Sequence, residues 1–383
     1  MSEQPEQPEH SPEGHQRPGA KPRVAVVFGG RSAEHGVSCV TAGSVLAAID
    51  RDRYDVVPIG IAADGRWVLE ADDSARLEIT DGKLPEVDEK GAPVVLSSRD
   101  LVVTDPGDVP RQIGEVDIVF PLLHGPFGED GTIQGLLEMA GVRYVGAGVL
   151  SSAVGMDKHY MKLVFQAAGL PVTPYVVITP REWRRDPAVC RESAAGLGFP
   201  LFVKPARAGS SFGISKVRNH SELDDAVAEA QRHDPKVLVE AFAAGAREIE
   251  CGVLQGRGDD PPQASVVAEI KITGEHEFYD FAAKYLPEEA TELDVPADVA
   301  DEATERIRDL AVRAFEAIGA EGLARVDFFV LPDGSVVINE INTMPGFTPT
   351  SMFPRMWAAS GLDYRALVDR LLTLARQRPL GLR

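Results

Sequence analysis

Two apolar runs near the C-terminus, joined by an Asp-Gly pair, constrain this chain more than any other feature. The runs cover 322–330 and 336–342, and Asp333 and Gly334 lie between them. An Asp-Gly pair between two such runs is a strong indication of a β-hairpin. The segment is therefore predicted to form two paired antiparallel strands, which fixes which side chains face one another.

Four polar side chains are expected on one face of this hairpin. With the Asp-Gly pair as the two central turn residues, Asp327 lies opposite Glu340, and Arg325 lies opposite Asn342. Carboxylate and amide oxygens are the ligands that Mg²⁺ prefers, and a guanidinium beside them suits an anion or an anionic transition state. The alternative is a solvated face without a ligand. The pattern favours a site for metal and phosphate, because such residues are costly to bury uncompensated.

Composition and cysteine usage predict a cytoplasmic protein. The net charge of −20 opposes nucleic acid or an anionic membrane surface as a partner. The chain has three cysteines, Cys39, Cys190 and Cys251. Their number is odd, and their spacing is not that of paired metal ligands. Together with the lack of a recognisable signal peptide, they fit a reducing compartment. No apolar run is long enough to span a bilayer.

Strands alternate with helices along the first part of the chain. Residues 1–22 contain almost nothing apolar and are expected to form a disordered tail. Strands are predicted near 23–28, 56–61 and 117–121, and helices near 41–49 and 131–140, the latter capped by Asp130 and ended by Gly141. The segment 70–112 reads as an insertion of hairpins and loops. The alternation predicts an α/β domain with a parallel sheet, over 23–148.

Two further units are predicted after it. One spans 149–240, begins with a helix through Met156-Asp157-Lys158, and continues mainly as strands. The other spans 241–383 and contains the hairpin and a helix near 299–318.

Two glycine-rich loops are candidates for ligand binding. The loop from Gly29 to His35 follows a strand but fits neither G-x-G-x-x-G nor a P-loop, which disfavours a Rossmann oxidoreductase. Its Glu34 would repel a pyrophosphate and could bind an amine, unless the glycines only form a tight turn. The loop 206–213 lies between strands and can cover phosphates as a lid. Lys204 before it is a cation on a buried-looking strand, which a plain hairpin turn would not require.

Together these motifs resemble those of the D-alanine–D-alanine ligases, members of the ATP-grasp superfamily, from about residue 23 to about 372. The motifs are, in chain order, Gly29-Gly30-Arg31-Ser32-Ala33-Glu34-His35, Leu123-His124-Gly125, Gly128-Glu129-Asp130-Gly131, Met156-Asp157-Lys158, Lys204-Pro205, Gly209-Ser210-Ser211-Phe212-Gly213, Phe278-Tyr279-Asp280, Lys284-Tyr285 and Asn339-Glu340-Ile341-Asn342-Thr343-Met344-Pro345-Gly346. The resemblance implies a three-domain ATP-grasp fold, α/β overall and α+β in the ATP-binding part, with an N-terminal parallel-sheet domain.

The resemblance also implies a reaction. ATP would phosphorylate the carboxylate of one D-alanine, and the amine of a second would attack the D-alanyl phosphate. The products would be D-alanyl-D-alanine for peptidoglycan precursors, ADP and phosphate. Two Mg²⁺ ions, with Mn²⁺ as a possible substitute, would neutralise charge during phosphoryl transfer. A cytoplasmic homodimer without a nucleic-acid or membrane partner is implied.

Roles follow for individual residues by position in the motifs. The metal ligands would be Asp327, Glu340 and Asn342. The nucleotide contacts would be Lys158, Lys204, Ser211, Glu240, Glu248 and Lys284, and the D-alanine contacts would be Glu34, His124, Arg325, Gly346 and Ser351. The closed lid would join Ser210 and Tyr285 to Glu34. Arg325 would also stabilise the oxyanion of the tetrahedral intermediate.

Phe281 and Ala282 depart from the resemblance, because relatives often have Tyr and Glu there. Two other functions stay open on the residues: a ligase making D-alanyl–D-lactate, and a nucleotide-binding regulatory protein without turnover. Tyr285 favours the amide product, since relatives making the depsipeptide carry Phe or a differently built loop.

Overall fold

The computed structural model describes residues 20–105, 107–209, 212–272 and 291–381. The tail predicted at 1–22 lies outside this part except for its last three residues. Across the described ranges, no helix is long and apolar enough to cross a membrane.

The described strands and helices alternate over most of the chain. The strands are β1 Arg23–Gly29, β2 Asp55–Ile61, β3 Trp67–Leu69, β4 Ala92–Ser97, β5 Asp100–Val103, β6 Arg111–Glu115, β7 Ile118–Pro121, β8 Arg143–Tyr144, β9 Tyr175–Ile178, β10 Leu201–Pro205, β11 Ser215–Val217, β12 Val237–Ala241, β13 Arg247–Leu254, β14 Gln263–Ile272, β15 Thr291–Asp294, β16 Leu323–Val330 and β17 Val336–Asn342. The helices are α1 His35–Ala48, α2 Thr132–Ala140, α3 Val149–Met156, α4 Lys158–Ala167, α5 Pro180–Arg185, α6 Pro187–Ala195, α7 Leu223–His233, α8 Asp301–Ala317, α9 Met352–Ala359 and α10 Tyr364–Gln377.

The first sheet has eight strands in the order β6-β5-β4-β3-β2-β1-β7-β8. The strands β2, β1, β7 and β8 are parallel, which confirms the parallel sheet predicted for this region. Residues 24–28 of β1 are fully buried, as expected for a strand covered on both faces. The insertion at 70–112 contributes β4, β5 and part of β6, which extend the sheet in antiparallel pairing.

The helix after β1 begins earlier than the predicted 41–49, at His35. Gly36 is a poor helix former and obscured this start in the sequence. Tertiary contacts hold the first turns instead, because the Ser38 hydroxyl donates to the Leu122 carbonyl and accepts from the Gly29 amide. Gly29 has a φ of +88°, and a Cβ there would approach the Ile61 carbonyl oxygen to 2.5 Å, so the turn before the helix requires glycine.

The continuous helix predicted through Met156-Asp157-Lys158 is wrong. The backbone is extended at Asp157, which ends α3 and caps α4. Its carboxylate accepts from the amides of His159 and Tyr160 at 3.1 and 3.4 Å. An N-capping carboxylate satisfies amides that a new helix would otherwise leave unpaired. The helix predicted at 131–140 is present as α2, with Gly131 rather than Asp130 at the N-cap position and Gly141 at its end.

Two antiparallel sheets form the rest of the core. The order in one is β11-β10-β12-β9, and the order in the other is β15-β14-β13-β16-β17. Helix α8 covers the sheet that contains β16 and β17, and it does so with an apolar face, as its sequence predicted. The buried residues are Ile307, Leu310, Ala311, Ala314, Phe315 and Ile318. The domain boundaries at 148 and 240 stay a prediction.

Candidate active site

The hairpin formed by β16 and β17 has the predicted register where its polar residues lie. Arg325 pairs with Asn342, and Asp327 pairs with Glu340. All four line one cavity of about 400 Å³. The four side chains therefore share a face, as the two-residue period of a strand predicted.

The turn that produces this register differs from the expected two-residue turn. The Leu331 amide donates to the Ser335 carbonyl, so three residues form the loop. Phe328 then pairs with Ile338, and the register shifts by one residue before Asp327, leaving Asn339 as the extra residue of a bulge. The bulge offsets the longer loop, and the polar residues return to the predicted pairing.

Most of the other predicted site residues line the same cavity. They are Glu34, His124, Lys158, Lys204, Glu240, Glu248 and Gly346. Ser351 does not line the cavity but lies directly behind Gly346, where a Cβ on that glycine would be 3.2 Å from the Ser351 hydroxyl oxygen. Four predicted site residues lie outside the described part of the chain, namely Ser210, Ser211, Lys284 and Tyr285.

Arg325 is surrounded by acidic groups on the cavity wall. Its Nε and Nη2 each donate to Asp327 at 2.7 Å, and its Nε lies 3.3 Å from Glu250 Oε1. The Asn342 amide donates to Asp327 at 3.0 Å. Burial opposes the charge of Arg325, but Asp327 and Glu250 outweigh it, so the pKa of the guanidinium is raised well above its ordinary value. The guanidinium is a permanent positive charge at this end of the hairpin.

Lys158 connects the hairpin to the glycine-rich loop. Its Nζ lies 3.1 Å from Glu340 Oε2 and donates to the Ala208 carbonyl at 3.0 Å. Burial would lower the pKa of Lys158, but Glu340 and other nearby carboxylates outweigh burial and raise it. A charged lysine therefore lies where the loop meets the hairpin face.

Glu240 lies between two buried lysines. Its Oε2 is 2.7 Å from Lys204 Nζ, and its Oε1 is 3.3 Å from Lys162 Nζ. Burial would raise the pKa of Glu240, but the two cations outweigh burial and lower it. The sequence did not reveal Lys162, although its place between the buried Met161 and Phe165 on α4 was an indication.

An apolar slot adjoins Glu240 and Glu248. The apolar residues that line it are Phe202, Ile214, Phe242 and Phe329. The rings of Phe202 and Phe242 have centroids 5.6 Å apart. An apolar slot beside carboxylates suits a planar base that carries an amino group.

The part of the cavity lined by Glu34 combines the imidazole of His124 with two carboxylates, those of Glu34 and Glu129. His124 Nδ1 lies 3.2 Å from the Met344 carbonyl, while its buried Nε2 has no hydrogen-bond partner among the residues described. Burial lowers the pKa of His124. Glu129, for which the motifs imply no individual role, accepts a hydrogen bond from the Gly125 amide at 2.6 Å. Burial and the charge of Glu34 raise its pKa to about 8.

The glycine-rich loop reaches this end of the cavity. A Cβ placed on Gly209 would lie 3.1 Å from Glu34 Oε2, and one on Gly125 would lie 2.8 Å from the same oxygen. Two backbone segments therefore approach the Glu34 carboxylate closely, and both approaches use glycine. This geometry is compatible with the predicted lid contact at Glu34.

The donor set on the hairpin suits a hard cation bound together with other ligands. Within the described ranges, no group of three His, Cys, Asp or Glu side chains could hold a metal ion. The set predicted here has two carboxylates, Asp327 and Glu340, and the amide of Asn342. Mg²⁺ is usually bound by one or two carboxylates plus substrate phosphates, so the residues fit that mode of binding.

Family models match both parts of the chain. The model described as D-ala D-ala ligase N-terminus matches residues 23–147, and that described as D-ala D-ala ligase C-terminus matches residues 164–373. The chain belongs to the D-alanine–D-alanine ligase family. It is accordingly an enzyme of the ligase class, as the resemblance of its motifs implied.

Individual relatives agree with the family models. A D-alanine–D-alanine ligase from Arthrobacter sp. strain FB24 is 59% identical over 379 residues, covering 98% of each chain. The structure of the D-alanine–D-alanine ligase from Coxiella burnetii has a TM-score of 0.77 at 34% identity and covers 94% of each chain. The VanG D-Ala:D-Ser ligase from Enterococcus faecalis has a TM-score of 0.79 at 37% identity, covering 93% of this chain and all of that one. The ATP-grasp fold is thereby confirmed, which makes the Rossmann alternative wrong.

Proposed function

We propose that this enzyme joins two D-alanines to D-alanyl-D-alanine through a D-alanyl phosphate, using ATP and releasing ADP and phosphate, for peptidoglycan precursor synthesis. One observation carries the proposal. A single cavity brings together the hairpin set of Arg325 and its acidic neighbours, the lysines beside the glycine-rich loop, and Glu34. A carboxylate is a poor electrophile, and a site of this composition can activate it with ATP and then protect the acyl phosphate from water.

The phosphates of ATP belong between the lysines and the hairpin. Lys158 and Lys204 supply positive charge to them from two different elements, α4 and β10. Asp327, Glu340 and Asn342 would hold Mg²⁺ or Mn²⁺, and the bound ions neutralise charge on the transferring phosphoryl group. The ion pairs of Lys158 with Glu340 and of Lys204 with Glu240 provide these groups with countercharges.

The base and ribose belong at the other end of the nucleotide. Glu240 is ionised and can accept a hydrogen bond from an exocyclic amino group, and the apolar slot beside it can hold the ring. Glu248 lies on the cavity wall and can accept from ribose hydroxyls.

The two D-alanines belong around Arg325. Glu34 would bind the ammonium group of the first, and His124 lies beside that subsite. Arg325 would stabilise the oxyanion formed when the second amine attacks, with a backbone N–H near Gly346. Ser351, just behind Gly346, would bind the carboxylate of the second D-alanine after a small movement of that segment.

Closure of the site would involve residues outside the described part of the chain. Ser210 and Tyr285 would hydrogen-bond with Glu34, and Ser211 and Lys284 would contact the phosphates. The approach of the glycine-rich loop to Glu34 at Gly209 supports the first of these contacts.

A cytoplasmic homodimer is part of the proposal. Three cysteines buried as free thiols are compatible with a reducing compartment. Met139 on α2 and Leu150 on α3 are 91% and 73% exposed, and such apolar side chains are available for contact with a second copy. Light scattering checks the dimer: a monomer at about 10–100 μM, where homodimers of ordinary affinity are fully assembled, would contradict it.

The deciding experiment measures phosphate release with ATP. Release should require both Mg²⁺ and D-alanine, and mass spectrometry should identify D-alanyl-D-alanine as the product. Nucleotide binding without D-alanine-dependent release would instead indicate a regulatory protein. In the same assay, D-lactate and D-serine compete with D-alanine for the second subsite, and a main product other than the D-alanine dipeptide would refute the substrate assignment.

A further inference from the structure

A buried lysine behind the cavity wall has no role in the reaction described above. The Lys162 side chain is fully buried, and its Nζ donates to the Thr173 hydroxyl at 2.9 Å. The same Nζ lies 3.3 Å from Glu240 Oε1, and on the other side of that carboxylate Lys204 lies 2.7 Å from Oε2. One carboxylate is thus shared by two ammonium groups, one on each oxygen.

The three charges differ in their access to a ligand. Glu240 and Lys204 line the cavity, whereas Lys162 does not. Lys158, one helical turn earlier on α4, also lines it. Lys162 is therefore placed to act on Glu240 and not on a nucleotide directly.

The sharing of Glu240 matters because buried charges need partners of opposite charge. Glu240 and Lys204 are 3% and 6% exposed, so either one would be costly to leave without a partner. A lysine that turns from a buried carboxylate to a phosphate normally leaves that carboxylate uncompensated. Because Lys162 Nζ lies 3.3 Å from the other oxygen, Glu240 keeps a cation nearby when Lys204 moves.

We propose that Lys162 is a second counter-ion of Glu240, and that it releases Lys204 to bind a nucleotide phosphate. The inference rests on the proposed use of ATP. Lys162 is a positioning residue here, because it acts through Glu240 and Lys204.

The test is a double-mutant cycle on nucleotide affinity, measured by calorimetry with Mg²⁺ and AMP-PNP, an ATP analogue that resists hydrolysis, in the absence of D-alanine. Lys162→Met should weaken binding at least about tenfold, because Lys204 must then remain with Glu240. In a Glu240→Gln background the same change should cost less than about threefold, since no carboxylate competes for Lys204. Equal losses in the two backgrounds would overturn the proposal.

A second ligand separates this role from a merely structural one. Adenosine carries the base without phosphates, so Lys162→Met should change its affinity less than about threefold. A similar loss for adenosine and AMP-PNP would indicate general damage to the site and refute the proposal. Thr173→Val is the matched control: it removes the neutral partner of Lys162, keeps the charge, and should leave AMP-PNP affinity nearly unchanged.

If Lys162→Met does not fold, Lys162→Gln replaces it, measured alone and together with Glu240→Gln. The cycle measures binding alone. A failure of D-alanine-dependent phosphate release in the unmodified protein would therefore refute the ligase proposal without deciding the role of Lys162.

Discussion

Replacing Arg325 by alanine should destabilise the fold far more than removing an arginine with the same hydrogen-bond geometry from the surface. Arg325 makes a bidentate pair with Asp327 and also lies near Glu250, and all three side chains are 5–15% exposed. Removing one partner of a buried ion pair typically costs about 3–5 kcal/mol, because the remaining charge is left uncompensated. Here two carboxylates lose their cation.

Arg191 provides the matched control. It pairs with Asp224 through the same two nitrogens at 2.8 and 2.7 Å, but these side chains are 42% and 51% exposed. Exposed pairs contribute about 0.2–1 kcal/mol, so Arg191→Ala should cost no more than that.

Urea unfolding followed by circular dichroism measures both variants. For a comparison at equal m-value, the midpoint should fall by several times more for Arg325→Ala than for Arg191→Ala. Equal losses would show that solvent or rearrangement compensates Asp327 and Glu250, and the description of a buried, charge-balanced hairpin face would then be wrong.

Three further outcomes test the site. Arg325→Ala should leave nucleotide affinity nearly unchanged but lower the rate of dipeptide formation by roughly 10²–10³, the usual cost of losing an oxyanion donor; weak nucleotide binding with a normal rate at saturation would contradict this. Asp327→Asn and Glu340→Gln should each nearly abolish turnover in a protein that is still folded at the assay temperature, and near-native rates at ordinary Mg²⁺ concentrations would remove them from the metal site. Glu129 has a pKa raised from 4.5 to about 8 in the folded protein, so the folded state holds a proton that the unfolded state loses, and this contribution to stability declines as the pH rises from 4.5 through about 8. Glu129→Gln should therefore raise the melting temperature at about pH 9 but not at about pH 4, and a shift independent of pH would refute the assignment.

Local pattern was sufficient to predict the hairpin face. Alternation along two strands placed Arg325 and Asp327 on the same face as their partners Glu340 and Asn342, and the structure confirms these pairs. The parallel part of the first sheet followed equally from apolar runs alternating with helical segments. Periodicity and turn chemistry act over a few residues, and a sequence displays them directly.

Two other features do not follow from apolar periodicity. The bulge at Asn339 offsets a turn one residue longer than expected, so the predicted register is correct although the predicted turn is not. Asp157 divides a helix that the apolar pattern predicted as continuous.

The sequence by itself determined the family and the chemical types present at the site, because both depend on motifs that can be read in order. Only the tertiary structure decided how the charges are paired. Lys162 resembles any helix lysine in the sequence, and it gains its importance from Thr173 and Glu240, which lie 11 and 78 positions later. Buried charges are compensated by whichever partners the packed elements bring within a few ångströms, and no local pattern specifies those partners.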